Sequence, residues 1–144
     1  DRSIIVEAAF QGGKIFENGG PYKDLYNCSG RQIKKDERLV NSGKLIAFQF
    51  EDLKWDLEPK TAFYDWLYIH ALYQNQQISK HLLQYKAFSD IEFNPKKSIN
   101  CQARAAALYV ALQQQNLISS ILNDRSAFLS VYGSNENQIS LPGF

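Results

Sequence analysis

Residues 4–16, Ile-Ile-Val-Glu-Ala-Ala-Phe-Gln-Gly-Gly-Lys-Ile-Phe, constrain this chain more than any other stretch, because they combine a helical pattern with two helix breakers. Read as a helix, they place Glu7, Gln11 and Lys14 at i, i+4 and i+7, so that a carboxylate, an amide and an amine share one face. Val6 and Phe10 form a neighbouring face expected to pack inward, which Ile5, Ala9 and Phe16 are available to join. Such a polar stripe is ordinarily the wet side of an amphipathic helix. Gly12-Gly13 inside it, however, cost on the order of 1 kcal/mol each relative to alanine. That penalty makes sense where another group must approach the backbone closely.

Glu17-Asn18-Gly19-Gly20-Pro21 ends this element, with two glycines and a proline within a single turn signal. A loop is expected over residues 22–29, with a tyrosine or leucine, Tyr22, Leu25 or Tyr26, tucked back on the core. Residues 30–40 read as a short basic helix, since Arg31, Lys34, Lys35 and Arg38 recur at i, i+3, i+4 and i+7. A single cationic face suits solvation with weak salt bridges to Asp36 or Glu37. It suits equally a pyrophosphate or a nucleic-acid backbone, which Arg would contact bidentately and Lys as a point charge.

Leu45-Ile46-Ala47-Phe48-Gln49-Phe50 reads as a strand, turned at Glu51-Asp52 into the alternating run Leu53-Lys54-Trp55-Asp56-Leu57. Glu58-Pro59 then opens a helix over residues 60–73, with proline at its first position and an acid beside the positive end of the dipole. Phe63, Trp66, Leu67, Ile69, His70 and Leu72 are available for burial there, as core rather than as a base-stacking platform. A short helix is expected over 78–83. Residues 85–98 have no helical period, are dense in functional side chains, and lie between helices, as site loops commonly do. Ser98 or Asn100 caps a helix over 101–115 whose Ala103, Ala106, Ala107, Leu108, Val110 and Leu112 allow close packing. A short helix over 117–122, an apolar segment at 128–131 and a polar tail over 133–144 complete the chain.

The 144 residues, 44% hydrophobic and 13% aromatic, are enough for one compact domain with a substantial core. A net charge of +1 neither demands nor excludes nucleic acid, because a local basic patch can hide in a balanced total. No apolar run approaches the roughly 18 residues that span a bilayer, so no membrane partner is expected. Cys28 and Cys101 form no C-x-x-C pair, and both are read as reduced in a cytoplasmic compartment. With His70 and His81 apart from any cysteine cluster, no metal site is expected. Residue 1 is Asp and the chain holds no methionine, so the expected start of the protein lies upstream.

Three separated stretches resemble one family. Val6-Glu7, Gln11 and Lys14 match the V-E-x3-Q-x2-K signature of the NADAR family. Glu58-Pro-Lys-Thr-Ala-Phe-Tyr-Asp-Trp-Leu-Tyr and Asp90-Ile-Glu-Phe-Asn-Pro-Lys-Lys-Ser-Ile-Asn-Cys-Gln-Ala-Arg are similar to its antitoxin branch, found beside DarT-type toxins. The resemblance runs from Val6 to about Val131. Another branch acts on riboflavin-pathway intermediates and usually carries histidine directly after the glutamate and a tryptophan-glycine pair after the aspartate. Here Ala8 and Phe93-Asn94 stand in those places, which favours the antitoxin branch.

The resemblance implies an α+β, mainly helical single domain with a small antiparallel sheet, catalytic over residues 1–132 and lacking the segment that precedes the Val-Glu motif in the family. It implies an N-glycosidase that removes ADP-ribose from guanine in DNA, with no cofactor, and with a cognate DarT-type toxin as functional partner. Cleaving that bond develops positive charge on the ribose, so Glu7 and Asp90 are the expected carboxylates, one stabilising the cation or activating water, the other acting as acid or orienting hydroxyls. Lys14 offers a second route as a Schiff-base nucleophile, or it neutralises a phosphate or holds Glu7 in place. Gln11 joins the substrate-binding set, with Arg31 and Lys35 for the pyrophosphate, Phe10 or Phe93 for a base, and Asn100 for a sugar hydroxyl. The competing classes are an N-glycosidase of riboflavin intermediates, a module that binds ADP-ribose or ADP-ribosylated DNA without cleaving it, and a protein that blocks the toxin directly.

Overall fold

The computed structural model describes residues 3–84 and 102–133. Its architecture is α+β, dominated by helices, with one three-stranded antiparallel sheet. The chain divides into two compact units, Asp1–Glu58 and Pro59–Phe144.

The first unit is built on the opening stretch, which is not one helix. Helix α1 covers Val6–Gly12, and after Gly13 the backbone becomes strand β1, Lys14–Phe16. The glycines therefore mark a helix end instead of interrupting a helix. Two hydrogen bonds explain the change of course: the Tyr22 amide donates to the Gly12 carbonyl at 2.7 Å and the Gln49 amide to the Gly13 carbonyl at 2.7 Å. Those carbonyls serve the neighbouring chain where a longer helix would have claimed them. Ala8, Ala9 and Phe10 are buried, and Ala8 packs with Leu25 and Ile33 against Ile4, Tyr22, Cys28 and Leu39.

Strand β2, Leu45–Phe50, and strand β3, Leu53–Trp55, form the expected hairpin, with Glu51 at φ 51° in its turn. The sheet order is β1-β2-β3. Lys14 pairs with Phe48, and Phe48 pairs with Trp55. Directly opposed residues of antiparallel strands point to the same face, so Lys14, Phe48 and Trp55 make one row across the sheet. The two aromatic members of that row are buried.

Between the strands β1 and β2, the expected loop contains a 3-10 turn at Lys23–Asn27 that buries Leu25. The expected basic helix is broken into α2, Gly30–Lys34, and α3, Arg38–Asn41. Helix α2 starts in a capping box, Gln32 donating its amide to Ser29 Oγ while the Ser29 amide donates to Gln32 Oε1. The break comes at Asp36, whose carboxylate accepts both the backbone amide and the guanidinium of Arg38. A short acidic side chain that binds the backbone two residues on competes with helix continuation.

The second unit holds α4, Ala62–Gln74, and α5, Gln76–Leu82, then α6, Gln102–Gln114, α7, Ile118–Leu122, and α8, Arg125–Gly133. Helix α4 begins later than its proline predicts: the Ala62 amide donates to the Pro59 carbonyl, so Pro59 belongs to the turn before the helix. Phe63, Tyr64, Trp66, Leu67, Ile69 and Leu72 are buried, which makes the aromatic density of α4 core packing. Helix α6 packs on α4 and buries Ala105 and Tyr109 beyond the residues expected, while Ala107 and Leu108 are only half-buried. Residues 128–131 prove to be part of α8, whose start is secured by the Ala127 amide donating to Asp124 Oδ1. The proposed caps Ser98 and Asn100 lie outside the described residues.

Candidate functional site

Glu7 and Gln11 are one helical turn apart on α1, and Gln11 Nε2 donates to Glu7 Oε1 at 2.8 Å. The carboxylate is exposed, and this bond engages one of its oxygens. Helix geometry alone supports that half of the expected face.

Lys14 arrives by a different route. It is a strand residue, and its register opposite Phe48 sends its side chain over the face on which Phe10 also lies. Phe10 and Phe48 are stacked with ring centroids 5.5 Å apart, and Lys14 Nζ is 5.1 Å from the centroid of the Phe10 ring. Burial is the dominant influence on this amine and holds its pKa below the ordinary lysine value. The field of Glu7 acts in the opposite direction more weakly. Among the described residues no carboxylate lies within ion-pair distance of Lys14. An amine kept partly out of water near a carboxylate but not bonded to it keeps its lone pair more available than a surface lysine does.

Arg31 and Lys35 are both exposed, Arg31 within α2 and Lys35 at its C-terminal cap. Arg38 is removed from the expected cationic face by its partners. It pairs with Asp24 at 2.6 Å and Asp36 at 2.7 Å, and its guanidinium carbon lies 4.5 Å from the centre of the Tyr22 ring. The hydrogen bonds from Arg38 lower the pKa of both aspartates. Asp90, Phe93 and Asn100 lie outside the described residues.

A second polar constellation was not anticipated. In the second unit Asp65 of α4 is 1% exposed, and its Oδ2 accepts a hydrogen bond from the Tyr132 hydroxyl at 2.6 Å. Arg104 Nη2 donates to Thr61 Oγ1 at 2.5 Å and lies 3.6 Å from Asp65 Oδ2. Burial raises the pKa of Asp65 against the hydrogen bond from Tyr132 and the charge of Arg104. The Tyr132 hydroxyl is pushed up as well, by burial first and by the Asp65 charge second. The cluster ties α4 to α6 and α8. One clue was present in the sequence: an aspartate inside Phe-Tyr-Asp-Trp-Leu has no polar helix face to occupy. Its partners are 39 and 67 positions away, beyond any local pattern (104 − 65 and 132 − 65).

Among the described residues there is no cluster of three His, Cys, Asp or Glu side chains able to hold a metal ion, and no helix long and apolar enough to cross a membrane. Cys28 is a free thiol, half-buried against the small core around Ala8.

The model of one family, described as the DarT1-associated NADAR antitoxin, matches residues 1–140. The chain belongs to that family. No curated protein matches the sequence. Membership gives this NADAR chain an antitoxin role against a DarT toxin. The match spans both units and takes in the α1–β1 constellation and the Asp65 cluster alike.

Proposed function

We propose that this antitoxin acts as an N-glycosidase: it hydrolyses the bond between ADP-ribose and guanine in DNA and so reverses the modification made by a DarT-type toxin. The observation that carries this reading is Lys14, an amine partly withdrawn from water on the sheet face beside Phe10, with Glu7 as the charge that acts on it. The ribose ring opens as the C1″–O4″ bond breaks with its electron pair on O4″, which takes up a proton, while the lone pair of the guanine nitrogen forms an iminium to C1″. The Lys14 amine then adds to C1″ and loses a proton. The bond from C1″ to the guanine nitrogen breaks with its electron pair on nitrogen, which takes up a proton. Water then hydrolyses the resulting imine, freeing ADP-ribose and the amine. Glu7, oriented by Gln11, is the carboxylate that moves protons or steadies positive charge at the sugar. Asp90 is the proposed second carboxylate. Arg31 and Lys35 are placed by charge for the phosphates and Phe93 and Asn100 by chemistry for base and sugar.

The test uses an oligonucleotide carrying ADP-ribosylated guanine. The wild-type protein releases ADP-ribose and restores unmodified DNA, while Lys14→Arg and Glu7→Gln lose at least a hundredfold in rate, the lower range for a removed acid–base or nucleophilic group. Borohydride traps a covalent adduct with wild type and none with Lys14→Arg. Binding of modified DNA without any release of ADP-ribose would refute the hydrolase and favour a reader; toxin binding with no effect on modified DNA would favour direct inhibition.

A further inference from the structure

The opening stretch offers Phe10 to the substrate as a stacking platform, yet its ring is already engaged. Phe10 is 7% exposed, its centroid is 5.5 Å from that of Phe48, and the Lys14 amine stands 5.1 Å above it. An ammonium within about 6 Å of an aromatic centroid is attracted by the negative face of the ring. Phe48 in turn is fixed by pairing with Lys14 on one side and Trp55 on the other. Helix and sheet thus close a loop of contacts, in which the strand that carries the amine also holds the ring that receives it.

We propose that Phe10 is a positioning residue for Lys14: steadied by Phe48, its π face fixes where the amine lies, and it does not stack on a base. This deepens the reading of Lys14 as the reacting amine and rests on it for its catalytic meaning. The geometric part stands in the free protein. Two opposing effects meet at this ring. It keeps water away, which disfavours the ammonium, and its quadrupole favours the ammonium. Glu7 is the described charge that acts on the amine besides the ring. Removing only the quadrupole and removing the whole side chain must therefore shift Lys14 in opposite directions.

The experiment is a pH titration of the free, full chain after reductive methylation of its lysines with carbon-13 formaldehyde. Lys14 is the resonance missing from Lys14→Arg. Phe10→Leu preserves an apolar cover and removes the π face, so the proton affinity of Lys14 falls by about fivefold, the equivalent of ~1 kcal/mol of lost cation–π attraction. Phe10→Ala admits water and moves the midpoint upward, toward that of a surface lysine. Incorporation of 4-fluorophenylalanine weakens the ring face with little change of shape and gives a smaller downward shift, which covers the case in which Phe10→Leu does not fold. An unchanged or raised midpoint in Phe10→Leu, or an unchanged one with the fluorinated ring, overturns the proposal. These readouts need no substrate, so absence of ADP-ribose release would count against the hydrolase alone. A Lys14 midpoint indifferent to the ring would count against Phe10 alone.

Discussion

Gly12→Ala separates two physical terms that the sequence sets against each other. On helix propensity alone, alanine at the last residue of α1 would gain up to about 1 kcal/mol. The surroundings oppose it. A Cβ added at Gly12 would lie 2.6 Å from Tyr26 Cε1, 2.8 Å from Tyr26 Cδ1 and 2.9 Å from the Tyr22 carbonyl oxygen. The Tyr26 ring is itself in contact with Phe50, whose centroid is 5.6 Å away, so moving it disturbs a second packed pair. The Tyr22 carbonyl is less yielding, because it accepts the Leu25 amide at 3.0 Å while the Tyr22 amide donates back to Gly12 at 2.7 Å. Overpacking of this kind costs roughly 1–3 kcal/mol. With part of the helix gain returned, net destabilisation is about 1–2 kcal/mol. Urea unfolding followed by fluorescence should show a lower midpoint with an unchanged slope. Combining Gly12→Ala with Tyr26→Ala should recover about 0.5 kcal/mol or more as coupling, because the ring contact is then absent, and leave the backbone contact as residue. A midpoint for Gly12→Ala at or above wild type would refute the account, since propensity would then outweigh the approach of Tyr22 and Tyr26.

Further predictions concern buried polar groups. The Tyr26 hydroxyl is buried without a hydrogen-bond partner among the described residues, so Tyr26→Phe should leave stability equal or raise it by up to about 1 kcal/mol in the same urea assay. Tyr132→Phe removes the donor to a carboxylate that is 1% exposed and should cost about 2 kcal/mol. For Asp65 the folded pKa is raised, so the native state binds more protons than the unfolded chain in the window between the two pKa values, and stability falls as pH climbs through it. Melting temperature against pH should therefore show Asp65→Asn gaining on wild type as pH rises from below the ordinary carboxylate value. Lys14 has the reverse sign: its folded pKa is lowered, the unfolded chain binds more protons between the two values, and wild type gains stability as pH rises there. Lys14→Met should be the more stable protein at neutral pH, with the gap closing toward the ordinary lysine pKa; a gap that widens would contradict burial as the cause.

Much of the first unit is legible because its signals are local. Leu45 to Phe50 is a mostly apolar run that breaks at Glu51-Asp52 as a hairpin must, and Leu25 is apolar in a loop that has a core to return to. Glu7 and Gln11 meet because four residues make one turn of helix. The basic helix fails for an equally local reason that composition hides: Asp36 binds the backbone and side chain of Arg38, which turns that arginine toward Asp24 and Tyr22. Positional periodicity does not register such competition from a single short acid.

The sequence alone determined the helix-rich α+β character, the hairpin, the Glu7–Gln11 pair and the family signature, since periods of two and 3.6 residues and short spaced motifs are written in neighbouring positions. It also placed Lys14 near Glu7, but by continuing a helix that ends at Gly12. Only the tertiary structure decided how the amine gets there: the Tyr22 and Gln49 amides take the carbonyls of Gly12 and Gly13, the chain turns into a strand, and pairing with Phe48 lays Lys14 over Phe10. The same holds for Asp65, whose partners Arg104 and Tyr132 come from helices far along the chain. Those arrangements depend on hydrogen bonds and burial between distant segments, which no local period encodes.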